Sequence, residues 1–335
     1  MQLTFKLYDP STKEQTWKSV SVSDWVTPPP GQDGRSCKSD SFSIVHRSTS
    51  SDPTHSENYT ITARVSPEIS LSLNVSRPNN VSGFKVGNGP TGGFTYFGTN
   101  KEKADGYVVH RFWPRTKAVG RLIFGQGGSA QGVDSRIEEI SGVGMMVHAI
   151  QGMRPNLIAR TWNFCWFTGK LPASDEHNPA ADTGVSGIMM EFTTTDGYGR
   201  KKGGEGGTVV NIGCVNVGDK VVVTAETQWA DAVGAVNAPV VSRATHYDTV
   251  LDKDTGYQQP QKLSFTWAGP IPEAPTDMVK ASLSMDVGFA ETSRGLIEKV
   301  DLLAEIPAFV KTVVNVLGTR PYIYQVRVYL GHLMF

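Results

Sequence analysis

The amino-acid sequence predicts an all-β protein, a sandwich or a pair of barrels. Three observations carry this prediction. Short apolar runs alternate with polar residues at period two, and glycine, proline and aspartate turns separate them. Only one stretch, near the end of the chain, has helical spacing. With 335 residues, 39% hydrophobic and 19% charged, the chain can fill two domains or one large β structure around a real core.

Taken in order, Leu3, Phe5 and Leu7 alternate with Thr4, Lys6 and Tyr8, giving a strand that stops at the Asp9-Pro10 turn. Residues 27–57 are rich in Ser, Pro, Gly and Asp and read as loops around one strand at 42–46. Tyr59, Ile61, Ala63 and Val65, then Ile69, Leu71, Leu73 and Val75, form a hairpin about Ser66-Pro67. Gly87-Asn88-Gly89 is not followed by a helix, so it is no phosphate loop. The aromatic run 107–115 contains Pro114, which argues for a strand end or an edge. A strand through Leu122, Ile123 and Phe124 follows.

Residues 208–214, 220–229, 261–267 and 281–287 are further strands. The basic, glycine-rich stretch 199–207 reads as a hairpin tip in preference to a phosphate contact. The helix is Ile306, Phe309, Val310, Val313, Val314 and Leu317, one apolar stripe with Pro307 in its first turn and Gly318 just past its end. It is roughly 16 Å long and is expected to pack on the outside of the β structure.

Composition excludes several functions. Lys plus Arg and Asp plus Glu number 32 each, so nothing points to a nucleic-acid groove, which needs a basic face. The histidines show no ligand spacing, and no nucleotide fingerprint or serine nucleophile elbow occurs, so neither metal nor cofactor is expected. Cys37, Cys165 and Cys214 are odd in number and far apart, as in a reducing compartment. No apolar run reaches membrane-spanning length and no signal peptide precedes the first strand, so a cytoplasmic location is expected.

Two apolar regions carry polar residues that must find partners: Gly144 to Met153 with Trp162 to Phe167, and Gly187 to Thr194. His148, Gln151, Asn163 and Glu191 are those residues, and an unpaired buried polar group costs a few kcal/mol. A ligand site lined by apolar groups with a few convergent polar ones would look like this, and so would a satisfied core. His148 and Gln151 share one site only if the strand bends at Gly152. Glu191 is either an acid or base raised by burial or the partner of Arg115 or Arg160 in a buried ion pair.

The segments Phe112-Trp113-Pro114-Arg115, 146–153, Trp162-Asn163-Phe164, 189–194, Asp254-Thr255-Gly256-Tyr257, 304–311 and 318–325 together resemble the fungal survival-factor family. This resemblance implies two lipocalin-like (calycin) β-barrel domains in tandem, 1–158 and 159–335, with a C-terminal amphipathic helix. It also implies a link to ceramide handling. Bacterial carotenoid hydratases and fungal Diels–Alder-type cyclases resemble the same architecture. The chain departs from the family in starting at a strand, in Thr195-Asp196 after the Glu-Phe-Thr-Thr motif, in the 199–207 insertion and in Trp166.

Those departures lead to the expectation of a cofactor-free cyclase in fungal secondary metabolism. It would hold a hydrophobic polyketide or terpenoid precursor in a near-attack shape. His148, Gln151 and Glu191 would be its catalytic groups. Trp113, Met153, Trp162, Asn163, Trp166, Phe192, Tyr198, Trp229 and Tyr324 would bind the ligand, although core packing explains each aromatic as well. The alternative is a non-catalytic sphingolipid or ceramide carrier with weak membrane association through an apolar surface. A hydratase or isomerase using Glu191 as acid is a third reading.

Overall fold

The computed structural model describes residues 2–9, 11–12, 14–48, 54–85, 94–98, 102–125, 135–151, 159–170, 184–195, 208–218, 220–224, 241–271, 274–287, 295–301, 322–328 and 332–334. Among them every regular element is a strand, and the protein is all-β. The expected helix at 306–317 and the 199–207 stretch lie outside the described residues.

The first strands are β1 (Gln2–Tyr8), β2 (Gln15–Ser21), β3 (Cys37–Lys38), β4 (Phe42–Ser48), β5 (Glu57–Ser66) and β6 (Ile69–Arg77). Next come β7 (Phe84–Lys85), β8 (Phe94–Phe97), β9 (Gly106–Phe124), β10 (Arg136–Gln151), β11 (Ala159–Lys170) and β12 (Gly184–Thr194). These are followed by β13 (Val209–Val217), β14 (Lys220–Thr224), β15 (Val241–Tyr247), β16 (Val250–Leu251) and β17 (Gln258–Gln259). The last are β18 (Lys262–Ile271), β19 (Ala274–Asp286), β20 (Gly295–Asp301), β21 (Tyr322–Val328) and β22 (His332–Met334).

The chain divides into two compact units, one made of Met1–Val81 and Trp113–Met146, the other of Ser82–Phe112 and Val147–Phe335. It crosses between them after Val81, again inside β9 and a third time inside β10. The boundary expected at residue 158 falls outside the described residues.

In the first unit, the alternation of β5 and β6 is what makes them a hairpin. Tyr59 faces Val75, Ile61 faces Leu73 and Ala63 faces Leu71 across an antiparallel ladder. Ala63, Val65, Ile69 and Leu122 form a buried core, against which Leu3, Phe5 and Leu7 of β1 pack. A polar network sits at the other end of β4, β5 and β6. His46, buried, lies between two carboxylates, with Nδ1 on Asp33 and Nε2 3.0 Å from Glu57. Glu57 also accepts from Arg35 Nη1 at 2.6 Å and Arg77 Nη2 at 3.0 Å.

β9 runs unbroken through Pro114, where an edge or an end was expected. The ladders explain the difference. Pairing with β7 reaches Phe112 and pairing with β6 starts at Lys117, so Pro114 falls in the interval, where its missing N–H breaks no bond of either ladder.

In the second unit, one sheet has the order β11-β12-β13-β14 and another the order β15-β18-β19-β22. Cys165, Val185, Met189, Val215, Leu263, Phe265, Trp267, Ala281 and Leu283 pack into one core that draws on both sheets. A fully buried Leu or Phe contributes about 1.5–3 kcal/mol to such a core. Trp267 donates its indole N–H to the Ile188 carbonyl at 3.0 Å. Gly213 permits that approach, because a Cβ there would lie 2.7 Å from the same carbonyl oxygen and 3.0 Å from Trp267 Nε1.

Candidate functional site

β12 organises the site. Its run Gly187 to Phe192 is apolar on nearly every residue, and the strand is buried on both faces. Register then sorts the neighbouring side chains. Asn163 of β11, Glu191 of β12 and Asn211 of β13 stand in one row across three strands. Cys165, Met189 and Phe167 share that face by alternation. Trp162, Phe192 and Val210 stand in the next row, on the opposite face. The residues expected to form one site are therefore split between two sides of a sheet.

The polar side is closed by β15. Asn163 Nδ2 donates to Glu191 Oε1 at 3.3 Å, and His246 Nε2 lies 3.0 Å from Asn163 Oδ1. An amide that gives its nitrogen to a carboxylate presents its oxygen to the imidazole, so His246 donates from Nε2. With its amide turned so that nitrogen faces the acceptors, Asn211 donates to Glu191 Oε2 at 3.2 Å and to the Ser242 carbonyl. Arg243 Nε stands 3.8 Å from Glu191 Oε2, and the Ala244 N–H donates to the same carboxylate.

Burial pushes the Glu191 carboxyl up, while Arg243, Ala244 and Asn163 pull it back. Burial alone pushes His246 down. A carboxylate that faces this many donors is occupied. Three protein donors and the Arg243 cation meet this carboxylate, and through Arg243 and Ala244 it fastens β12 to β15.

The other side is apolar and aromatic. Trp162 stacks on Phe192 with ring centroids 5.2 Å apart, and Phe97 meets Phe192 edge-on at 5.7 Å. Ile188, Met190, Val210 and Ile212 are buried beside them. β11 ends this sheet, and on it Trp162 and Phe164 remain 40% and 44% exposed. The surface thus runs continuously from half-exposed to buried aromatics.

The remaining expected residues lie elsewhere. His148 is half-buried in β10, and Gln151 is the last residue of that strand. Trp113 belongs to the first unit, where it packs on Tyr59 at 5.0 Å with the Arg77 guanidinium over its ring. Trp166 is half-buried on the Trp162 side. Tyr324 lies in β21, and Met153, Tyr198 and Trp229 lie outside the described residues.

Glu191 does pair with a cation, but with Arg243 and not with Arg115 or Arg160. Sequence reasoning missed Arg243, His246 and Asn211. Asn211 carried a signal, as the single polar residue in Val209-Val210-Asn211-Ile212, whereas nothing local links β15 to Glu191. Among the described residues no group of three or more His, Cys, Asp or Glu could hold a metal, and no helix is long and apolar enough to cross a membrane.

Fold and site together define an all-β protein whose β11–β14 sheet carries a polar fastener on one side and an aromatic surface on the other. The chain belongs to the Svf1 family, whose model matches residues 1–329. It is 32% identical to the ceramide-binding protein svf1 of Aspergillus fumigatus over 82% of this chain and 55% of that protein. It is 28% identical to the ceramide-binding protein svf1 of Schizosaccharomyces pombe, over 97% of this chain and 69% of that one. To the Candida albicans ceramide-binding protein SVF1 it is 34% identical, over 70% and 48%. The chain thus spans between 48% and 69% of the length of these relatives. A solved Nitrosomonas europaea structure bearing the AttH name aligns with a TM-score of 0.41 and 11% identity over 84% of this chain and 75% of that one.

These relatives correct the expected activity. They are named for ceramide binding and not for a reaction, which overturns the expectation of a cyclase and of an enzyme.

Proposed function

We propose that the chain binds a hydrophobic lipid of the ceramide class and holds it without changing it chemically. One observation in the structure supports this best: the continuous aromatic surface of Trp162, Phe164, Phe192 and Phe97, opposite the polar row. Apolar surface that passes from exposed to buried suits a ligand made mostly of hydrocarbon, at about 25 cal/mol for each Å² covered. The names of the relatives supply the lipid class. The test is native mass spectrometry of the full chain after incubation with vesicles containing ceramide or diacylglycerol. One ceramide retained per protein, with no diacylglycerol, is the expected result. Uptake of neither lipid refutes ceramide binding, and equal uptake of both refutes the ceramide class as the ligand selected.

A further inference from the structure

One buried histidine of the second unit is used by nothing described so far. His110 of β9 is 0% exposed, yet neither Nδ1 nor Nε2 has a hydrogen-bond partner among the described residues. Its ring stacks on Phe112 at 5.7 Å, and Phe112 stacks on Phe84 at 5.0 Å. Alternation puts Val108, His110 and Phe112 on one face of β9. On β8, Thr95 pairs with Val108 and Phe97 with Gly106, so their side chains share that face. Thr95 is diagonal to His110, a spacing from which side chains on adjacent strands still reach one another. It is 5% exposed, and its hydroxyl has no partner either. Phe97, on the same face, meets Phe192. The face therefore adjoins the aromatic side of the β11–β14 sheet.

Three unpaired polar atoms on one buried face carry a desolvation cost that an apolar side chain would avoid. What they offer is specific. Burial holds the His110 ring down at about 4, so at neutral pH it presents one N–H and one bare nitrogen. The Thr95 hydroxyl presents both a donor and an acceptor. Phe84, Thr95, Phe97, Val108, His110 and Phe112 include no cation, so the face suits an uncharged group and not a phosphate or a carboxylate.

We propose that His110 and Thr95 are the hydrogen-bonding subsite for the uncharged polar end of the bound lipid, taking an amide and a neighbouring hydroxyl. The hydrocarbon would then lie along the aromatic side. This rests on the lipid-binding reading above and names the groups that select the lipid's polar end.

The test uses the full chain and displacement of a fluorescent-acyl ceramide by unlabelled ceramide or by ceramide methylated at its amide nitrogen. His110→Leu and Thr95→Val should each weaken ceramide binding about tenfold, the scale of one or two lost hydrogen bonds. His110→Gln, which keeps a donor and an acceptor, should recover part of that loss. Wild type should prefer ceramide to the methylated analogue, and His110→Leu should lose the preference. Unliganded His110→Leu should melt no lower than wild type, because it removes unpaired polar atoms; a residue that only supports the fold would give the reverse. Variants that bind like wild type overturn the subsite and leave lipid binding standing. Wild type that binds no ceramide overturns both. If His110→Leu does not fold, Thr95→Val and the analogue decide, and no effect from either refutes the subsite.

Discussion

Asn163 holds the polar row together, so Asn163→Ala is the most informative perturbation of the fold around the site. The amide accepts from His246 Nε2 at 3.0 Å and donates to Glu191 Oε1 at 3.3 Å. Alanine removes both bonds and leaves the buried Glu191 and the half-buried His246 each short of a partner. A hydrogen bond between neutral groups contributes about 0.5–1.5 kcal/mol, and one to a charged group about 1.5–3 kcal/mol. The sum is about 2–4.5 kcal/mol, less whatever water entering the gap restores. With a urea slope of about 1–3 kcal/mol per molar, the unfolding midpoint should fall by about 1–2 M at an unchanged slope. The assay is urea unfolding followed by tryptophan fluorescence, with Thr161→Ala as the control, since Thr161 is exposed on the same strand. The row and the aromatic surface are on opposite faces, so folded Asn163→Ala should retain ceramide as wild type does. A midpoint equal to that of Thr161→Ala would refute the fastener. Loss of ceramide from the folded variant would refute the separation of the two faces.

Trp162→Ala should do the converse: lower ceramide retention several-fold while costing about 1 kcal/mol of stability, as befits a stacked but 40% exposed ring. Native mass spectrometry and urea unfolding read the two effects. Gly213→Ala should destabilise by about 1–3 kcal/mol, because its Cβ intrudes on Ile188 and Trp267, whereas Gly142→Ala, with nothing within 4 Å, should stay within about 0.5 kcal/mol of wild type. In the first unit, burial alone would raise the Asp33 carboxyl, but hydrogen bonds from Arg35 and His46 outweigh it and hold the group at about 2, against an ordinary 3.8. A depressed acid contributes its full stability above the unfolded value and loses it as pH falls through the folded one. Acid titration by near-ultraviolet circular dichroism should therefore show a loss between about pH 4 and pH 2. Asp33→Asn should flatten that loss, and an unchanged acid limb would refute the ion pair.

The fold was legible wherever side chains alternate. Leu3, Phe5 and Leu7 marked β1, and the two period-two runs about Ser66-Pro67 marked β5 and β6 almost to the residue, because one buried face imposes that pattern. Pro114 misled, because the cost of its missing N–H depends on ladder intervals that no local pattern encodes. The site was legible only in part. Asn163 and Glu191 do meet, since polar residues in apolar runs must be satisfied. The partners that satisfy them from β15 are some 50 to 80 residues away in sequence and announce nothing locally. His110 passed unnoticed in its aromatic run because a buried histidine with partners and one without read alike.

The interleaving of the two units has a consequence for synthesis. A ribosome delivers residues 1–81 first, but that unit is completed only by residues 113–146, which emerge after residues 82–112. Those thirty-odd residues belong to the later unit and carry Phe97, His110 and Phe112, all destined for burial. At about 5–20 residues per second, they wait several seconds for β12 and its Phe192 to be made. During that interval Phe97, His110 and Phe112 lack the burial they have in the folded protein. No single cut can release either unit as one continuous piece, so their fates in biogenesis are joined.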